Sequence, residues 1–136
     1  MMPEETPTIL VVEDYSDSRT MLCSLLRREG YQVFEAASGK QGMLEAERRI
    51  PDLILMDLAL PEMDGIETVR QIRQIPKLAD TPVLVVSAYV TDAVREDALA
   101  AGCAEVFSKP LNIKLLLEKV KEVLSSEHKF VNELEA

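Results

Sequence analysis

Short apolar runs recur along the chain and alternate with stretches whose apolar residues follow helical spacing. The clearest run, Leu53 to Met56, is too short for a helix and lacks the alternation of a strand with one wet face. It is typical of a central strand in a parallel sheet that is covered on both faces. The sequence predicts five strands, at Thr8 to Val12, Tyr31 to Phe34, Leu53 to Met56, Val83 to Val86 and Glu105 to Ser108.

Five amphipathic helices are expected between and after these strands. They extend from a cap at Ser16 or Asp17 to Gly30, from Ser38 to the residue before Pro51, from Gly65 through Ile75, from a cap at Thr91 or Asp92 to Gly102, and from Ile113 to Leu124. The apolar faces of the first three carry Met21, Leu22, Leu25 and Leu26, then Met43, Leu44 and Ala46, then Ile66, Val69, Ile72 and Ile75. This alternation predicts an α/β fold with a doubly wound, five-stranded parallel sheet.

The length of 136 residues and the hydrophobic fraction of 47% match one domain with a single core. We expect this domain to span residues 8–124, after a disordered start at residues 1–7. Residues 125–136 are mostly polar and form either a frayed tail, which we favour, or an extension of the last helix that buries Phe130, Val131 and Leu134. His128 has no acid-base or metal partner nearby in the sequence and is expected to face solvent.

The net charge and the lack of a visible targeting signal argue against several classes of function. Fifteen basic and twenty-four acidic residues give a net charge of −9, which repels nucleic acid and anionic membrane surfaces. No basic patch, signal peptide or membrane-length apolar run is visible, so we expect a cytoplasmic protein that binds neither nucleic acid nor membrane. Cys23 and Cys103 lack the spacing of a metal site or redox pair, and we expect two buried, reduced thiols.

Four of the five strands end in residues that can do chemistry, namely Glu13-Asp14, Asp57, Ser87 and Lys109. The carboxyl ends of parallel strands share one edge of the sheet, where ligands bind in open α/β folds. If the first and third strands are neighbours, three carboxylates meet one lysine. Two unit charges about 4 Å apart repel by roughly 1 to 4 kcal/mol at the dielectrics of water and protein surfaces, so this cluster is poorly balanced.

Oxygen ligands around an open site suit Mg²⁺, which commonly takes one or two carboxylates and binds substrate phosphate. We therefore interpret the edge as a site for Mg²⁺ and a phosphoryl group. Asp57 would be the nucleophile, with Ser87 and Lys109 neutralising charge on the phosphoryl oxygens. Pro61 stops the Asp57 strand from continuing, and Gly65 supplies a flexible turn before the next helix.

The motifs Val-Val-Glu13-Asp14, Asp57 followed by Leu-Pro-Glu-Met-Asp-Gly, Ser87-Ala88 and Lys109-Pro110 occur in this order, and together they are highly specific. In this respect residues 8–124 resemble a receiver domain of two-component response regulators. The resemblance implies a flavodoxin-like fold with strand order 2-1-3-4-5 and a Lys109-Pro110 peptide bond that is usually cis. It implies the phosphoacceptor role for Asp57, direct metal ligation by Asp14, ligation through water by Glu13, and a further ligand from the Ala59 carbonyl.

The resemblance also implies partners and output. A histidine kinase or a phosphotransfer protein would supply the phosphoryl group, and the protein would catalyse its own phosphotransfer and slow dephosphorylation without being an enzyme in the usual sense. As a stand-alone, single-domain response regulator, it would signal by phosphorylation-dependent binding of an output protein at the surface of the fourth helix, fifth strand and fifth helix. The same surface could form a homodimer.

One position departs from the family pattern. Receivers usually carry an aromatic residue three positions before the lysine, where this chain has Val106, while Phe107 lies on the opposite face of the strand. The family's aromatic switch therefore lacks its usual residue in this chain, whereas the residues for phosphorylation are present. Tyr89 is left open as either a substitute signalling aromatic or a residue at the site entrance.

Three other functions match parts of the sequence pattern. A haloacid dehalogenase-type phosphatase would have a second aspartate two residues after the nucleophile, where this chain has Ala59. A flavin or nucleotide carrier would have a glycine-rich phosphate loop after the first strand, and none is present. A docking module that keeps the fold without being phosphorylated remains as the alternative, favoured by Val106 and disfavoured by the intact acidic cluster.

Overall fold

The computed structural model describes residues 6–58 and 65–135, with side chains described as far as residue 125. The described strands are Thr8–Val12 (β1), Gln32–Ala36 (β2), Leu53–Asp57 (β3), Val83–Ser87 (β4) and Glu105–Ser108 (β5). They pair in parallel in the order β2-β1-β3-β4-β5. The predicted doubly wound α/β architecture, its strand order and the adjacency of the first and third strands are thereby confirmed.

Five α-helices connect and follow the strands. They are Ser16–Arg28 (α1), Gly39–Arg49 (α2), Gly65–Arg73 (α3), Asp92–Ala101 (α4) and Ile113–Glu135 (α5), and a 3₁₀ turn occupies Pro76–Leu78. The backbone of α5 continues as helix beyond Leu124, where a frayed tail was favoured. The side chains of His128, Phe130, Val131 and Leu134 lie outside the described residues, and so does the start of the chain at residues 1–5.

The sheet has a hydrophobic cluster on each face, because successive residues of a strand point to opposite sides. On one face, alternate residues of β1, β3 and β4 pack with α1 and α5, through Ile9, Val11, Leu53, Leu55, Leu84, Val86, Leu22, Cys23, Leu26, Leu116 and Val120. On the other face, the intervening residues pack with α2, α3 and α4, through Leu10, Val12, Ile54, Met56, Val83, Val85, Val106, Ala46, Val69, Ile72 and Ala98. Every residue of β3 is buried, as expected for a strand covered on both sides.

Several predicted helix ends are confirmed by their hydrogen bonds. The Thr91 hydroxyl accepts from the Val94 N–H and caps α4, which ends at Gly102 in the left-handed conformation with φ 109°. The Ser38 hydroxyl accepts from the Gln41 N–H in the same way at the start of α2. The sequence could predict these helix starts because each capping side chain bonds to a residue only three positions away.

Other details of the sequence prediction were wrong. The residue that caps α1 is Tyr15, which makes no side-chain capping bond, rather than Ser16 or Asp17. The second strand begins at Gln32 and ends at Ala36, later than expected. Met21 and Leu44 have the spacing of core residues, yet 48% and 61% of their surfaces are exposed.

Both cysteines are free and buried, as predicted. Burial raises the pKa of each thiol to about 11, so both thiols are protonated at neutral pH and act as small apolar side chains. Within the described part of the chain, no helix has the length and apolar character needed to cross a membrane.

Candidate functional site

Strand alternation brings three of the expected site residues to one side of the sheet. Ile9 and Val11 face α1 and α5, and continuing their alternation by one step places Glu13 on the same side. The same reasoning applied to β3 and β5 places Asp57 and Lys109 there. Val12 of β1 pairs with Met56 of β3. Glu13 and Asp57 are the next residues after this pair, so they lie side by side at the ends of neighbouring strands.

A lysine joins the two buried acids. The Lys109 Nζ donates to Glu13 Oε1 over 3.1 Å and to Asp57 Oδ2 over 3.5 Å. Glu13 and Asp57 are only 2% and 6% exposed, so these charges interact with little screening by water. The expected convergence of these three side chains at the sheet edge is observed. The Lys109-Pro110 peptide bond is cis, as the family resemblance implied.

Burial and like charge affect the protonation of this cluster. Burial raises the pKa of Glu13 to about 7, with further contributions from the hydrogen bond and charge of Asp57, while Lys109 acts in the opposite direction. For Lys109, burial lowers the pKa, but its hydrogen bond to Glu13 and the charge of Asp57 outweigh burial and raise it overall. The lysine therefore stays charged, and Glu13 gives up its proton less readily than an exposed glutamate does.

The acidic residues fit a divalent metal ion. One carboxylate oxygen from each of Glu13, Asp14 and Asp57 lies within 4.8 Å of the other two, and Asp14 is exposed to solvent. Glu13 Oε2 is buried and, within the described residues, accepts no hydrogen bond. A buried carboxylate oxygen without a donor is costly unless a proton or a cation reaches it. The all-oxygen donor set suits Mg²⁺. The Ala59 carbonyl, the other expected ligand, lies outside the described residues.

Ser87 lies at the same edge, and its hydroxyl contacts the backbone of its own loop. Its Oγ accepts from the Tyr89 N–H over 3.3 Å and lies 3.5 Å from the Tyr89 carbonyl oxygen. Ser87 is buried, whereas the Tyr89 side chain is 84% exposed. The Lys109 N–H donates to the Ser87 carbonyl over 2.8 Å, so the backbones that carry these two side chains are joined directly.

The valine at the family's aromatic position is part of the core. Val106 is buried in the cluster that contains α2, α3 and α4, while Phe107 packs against the cluster on the other face. The predicted opposition of these two side chains across the sheet is confirmed. An aromatic side chain that moves between an outward and an inward position is therefore absent from residue 106.

Gly65 contributes to the site for a different reason from the expected one. Its backbone does not adopt the left-handed conformation found at Gly30 and Gly102. Instead, a Cβ atom at position 65 would lie 2.5 Å from the Leu58 Cα and 2.6 Å from the Asp57 carbonyl oxygen. The Gly65 N–H also donates to the Leu58 carbonyl over 3.0 Å. Glycine is needed here because the start of α3 packs directly on the backbone beside Asp57.

The sequence interpretation missed Arg19, which contacts the backbone of the acidic pair. Its guanidinium donates from Nη1 to the Glu13 carbonyl over 2.9 Å, and it forms an ion pair with Glu35 of β2 over 3.2 Å. The only signal in the sequence was a basic residue in the second turn of the helix that follows the acids. That signal is too common on helix surfaces to indicate a role by itself.

Comparison with known proteins gives a consistent result. The family model for the response regulator receiver domain matches residues 9–121. The chain is 40% identical over 116 residues to the KDP operon transcriptional regulatory protein KdpE of Escherichia coli, covering 85% of this chain and 50% of that protein. It is 30% identical over 119 residues to the polar-differentiation response regulator DivK of Brucella ovis, covering 88% and 97%.

The fold of a solved receiver domain also matches. The CheY-like response regulator receiver domain protein of Methanospirillum hungatei superposes with a TM-score of 0.86 at 30% identity, over 92% of this chain and 98% of that one. The chain thus spans half of KdpE but nearly all of DivK and of the Methanospirillum hungatei receiver. Receivers of this kind are generally signalling modules rather than enzymes. The chain belongs to the response regulator receiver domain family of two-component signalling.

Proposed function

We propose that this chain accepts a phosphoryl group on Asp57 in a Mg²⁺-dependent reaction and signals through a changed affinity for another protein. The observation that carries the proposal is the partly buried contact in which Lys109 Nζ lies 3.1 Å from Glu13 and 3.5 Å from Asp57. Three carboxylates beside one lysine leave a surplus of negative charge that favours a further cation. Family membership supports the same function.

Asp57 is the proposed nucleophile. One of its carboxylate oxygens attacks the phosphorus of the donor, the new O–P bond forms as the bond to the leaving atom breaks, and the electron pair departs with the leaving group. A carboxylate nucleophile carries no proton to remove, so no general base is required. Mg²⁺ held by Glu13, Asp14 and Asp57, with the Ala59 carbonyl as a further ligand, would supply positive charge to the phosphoryl oxygens.

Two other side chains neutralise the transferred group. Lys109 Nζ exchanges its contact with Asp57 for a phosphoryl oxygen and remains charged throughout, in keeping with its raised pKa. The Ser87 hydroxyl gives up its long contacts with the Tyr89 backbone and donates to another phosphoryl oxygen. The movement of Ser87 pulls on the loop between β4 and α4, which biases this loop toward a second conformation. Slow attack of water on the phosphorus then breaks the O–P bond, releases inorganic phosphate and restores the Asp57 carboxylate.

The partners follow from the same hypothesis. A histidine kinase or a phosphotransfer protein supplies the phosphoryl group in the cytoplasm. An output protein, or a second copy of the chain, binds the surface formed by α4, β5 and α5. Leu99 on α4 and Leu115 on α5 are 45% and 53% exposed and offer apolar contact area on this surface. Tyr89 is exposed beside Ser87 and can report the movement of the loop.

Intact-mass analysis after incubation with Mg²⁺ and acetyl phosphate tests the proposal. One phosphoryl addition is expected, and it should be lost in Asp57→Asn and after chelation of the metal. Asp97→Asn is the matched control, because it makes the same chemical change at an exposed position of α4. Absence of any addition to the folded wild-type protein would reject phosphorylation and leave the unphosphorylated docking module as the better description.

A further inference from the structure

Arg19 holds the backbone of both acidic residues that follow β1. Its Nη1 donates to the Glu13 carbonyl over 2.9 Å and lies 3.4 Å from the Asp14 carbonyl, while its Nε donates to Glu35 Oε1 over 3.2 Å. The Arg19 side chain is 19% exposed, so this contact is partly shielded from solvent. One planar guanidinium thus connects α1, β2 and the segment between β1 and α1.

Hydrogen bonds hold the backbone in place beyond the last residue of β1. The strand ends at Val12, but the Glu13 N–H still donates to the Ala36 carbonyl over 3.0 Å. The Glu13 carbonyl is held by Arg19 on the other side of the residue. Both backbone polar groups of Glu13 are therefore fixed, and the direction of its side chain follows from them. Asp14 has left the strand, and its carbonyl is held by the same nitrogen of Arg19.

Arg19 acts on the acidic residues by fixing the position of their backbone and not by its charge. Its charge is balanced by Glu35, which lies opposite Val11 in the β1–β2 register and is anchored in the sheet. The groups that act on the Glu13 carboxyl are Asp57 and Lys109. The guanidinium contacts the two carbonyl oxygens, which are on the backbone and not among the proposed metal ligands. Loss of the guanidinium would free the loop without removing a carboxylate.

We infer that Arg19 is a positioning residue for the metal site, which sets the directions of the Glu13 and Asp14 side chains by fixing their backbone carbonyls. The inference rests on the proposed function for the identity of the ion. Removing partners that orient metal ligands typically weakens metal affinity by about 10- to 100-fold. We expect Arg19→Met to weaken Mg²⁺ binding by about tenfold, because the ligands themselves remain.

The chain provides a matched control in Arg27. This residue also lies on α1, and its Nη2 donates to a backbone carbonyl, that of Val33, over 2.9 Å and contacts Glu35 over 3.4 Å. Arg27→Met therefore removes the same kind of bonds without touching the acidic segment. Mg²⁺ titrations of both variants and the wild type, followed by backbone amide NMR shifts, give the dissociation constants and show that each protein is folded.

A second readout separates positioning from general damage to the fold. At saturating Mg²⁺, the rate of phosphorylation by acetyl phosphate in Arg19→Met should return to near the wild-type rate, because Arg19 touches no reacting atom. Arg27→Met should bind Mg²⁺ as the wild type does. If Arg19→Met does not fold, Arg19→Lys replaces it, since one ammonium cannot hold Glu35 and two carbonyls in the same geometry. The same direction of change is expected.

The outcomes distinguish this inference from the function on which it rests. Wild-type Mg²⁺ affinity in a folded Arg19 variant overturns the inference alone, and so does an equal loss of affinity in Arg27→Met. Absence of Mg²⁺ binding by the wild-type protein overturns the metal site and this inference together. Weakened binding in the Arg19 variant only, with the rate restored at saturating Mg²⁺, supports the positioning role.

Discussion

Replacing Gly65 by alanine is expected to slow phosphorylation of Asp57 much more than it destabilises the fold. The added Cβ would lie 2.5 Å from the Leu58 Cα and 2.6 Å from the Asp57 carbonyl oxygen, whereas ordinary contact begins at 3.4 Å. The two segments must therefore separate by about 0.9 Å at the closest point. Both opposing atoms belong to the backbone, so a change of side-chain rotamer cannot relieve the overlap.

Two energies compete in this substitution. Alanine favours a helix over glycine by up to about 1 kcal/mol, and less than that at the first residue of α3. Overpacking against fixed atoms costs about 1 to 3 kcal/mol, so the overlap wins and the stability falls modestly. The effect on rate is larger, because a misplacement of about 1 Å at a reacting group can cost about 100-fold. We expect a loss of about this size in the phosphorylation rate.

The assay is a time course of intact mass with acetyl phosphate at saturating Mg²⁺. Gly30→Ala is the control, because Gly30 has φ 97° and no heavy atom within 4 Å of an added Cβ. This substitution strains the backbone at the end of α1 by about 1 to 2 kcal/mol without approaching the site. A wild-type rate in the Gly65 variant would refute the reasoning, as would an equal loss of rate in the Gly30 control.

Two further predictions concern stability. Without Mg²⁺, the contribution of Glu13 to the free energy of unfolding should fall by about 3 kcal/mol as pH rises from about 4.5 to about 7, because the pKa of Glu13 is raised in the fold and the folded state binds more protons over this range. Urea denaturation measures this slope, and its survival in Glu13→Gln would show that another group causes it. Ile50→Gly should raise the free energy of unfolding by up to about 1 kcal/mol, because Ile50 ends α2 with φ 47°, a left-handed conformation that is unfavourable for a β-branched residue. An unchanged or lower urea midpoint in this variant would contradict that explanation.

Features set by neighbouring residues could be predicted from the sequence. The bounds of β5 agree with the structure at both ends, because Gly102 ends the preceding helix and Pro110 follows the strand closely. The convergence of Glu13, Asp57 and Lys109 was predictable for a related reason. Parallel strands joined by right-handed crossovers bring their carboxyl ends to one edge, whichever residues form the helices.

Features set by contacts between distant segments could not be predicted in this way. Leu78 falls in a stretch that reads as a loop, yet it is the last residue of a 3₁₀ turn and is fully buried. The need for glycine at position 65 depends on how closely α3 approaches Leu58, and no local pattern encodes that distance. The role of Arg19 depends on Glu35, sixteen residues later. Spacing along the chain gives the face of a helix, but tertiary packing decides what covers it.

The bond between Lys109 and Glu13 joins residues that are 96 positions apart and links the edge strand to the centre of the sheet. Within the sheet, β5 pairs with β4 alone, and Lys109 follows its last residue directly. Local opening of an edge element requires less free energy than global unfolding. Fraying of β5 would withdraw the lysine and leave two buried carboxylates facing each other. For the phosphoryl transfer that we propose, the site would be complete only while this edge of the sheet is closed, and hydrogen exchange at β5 would measure how often it opens.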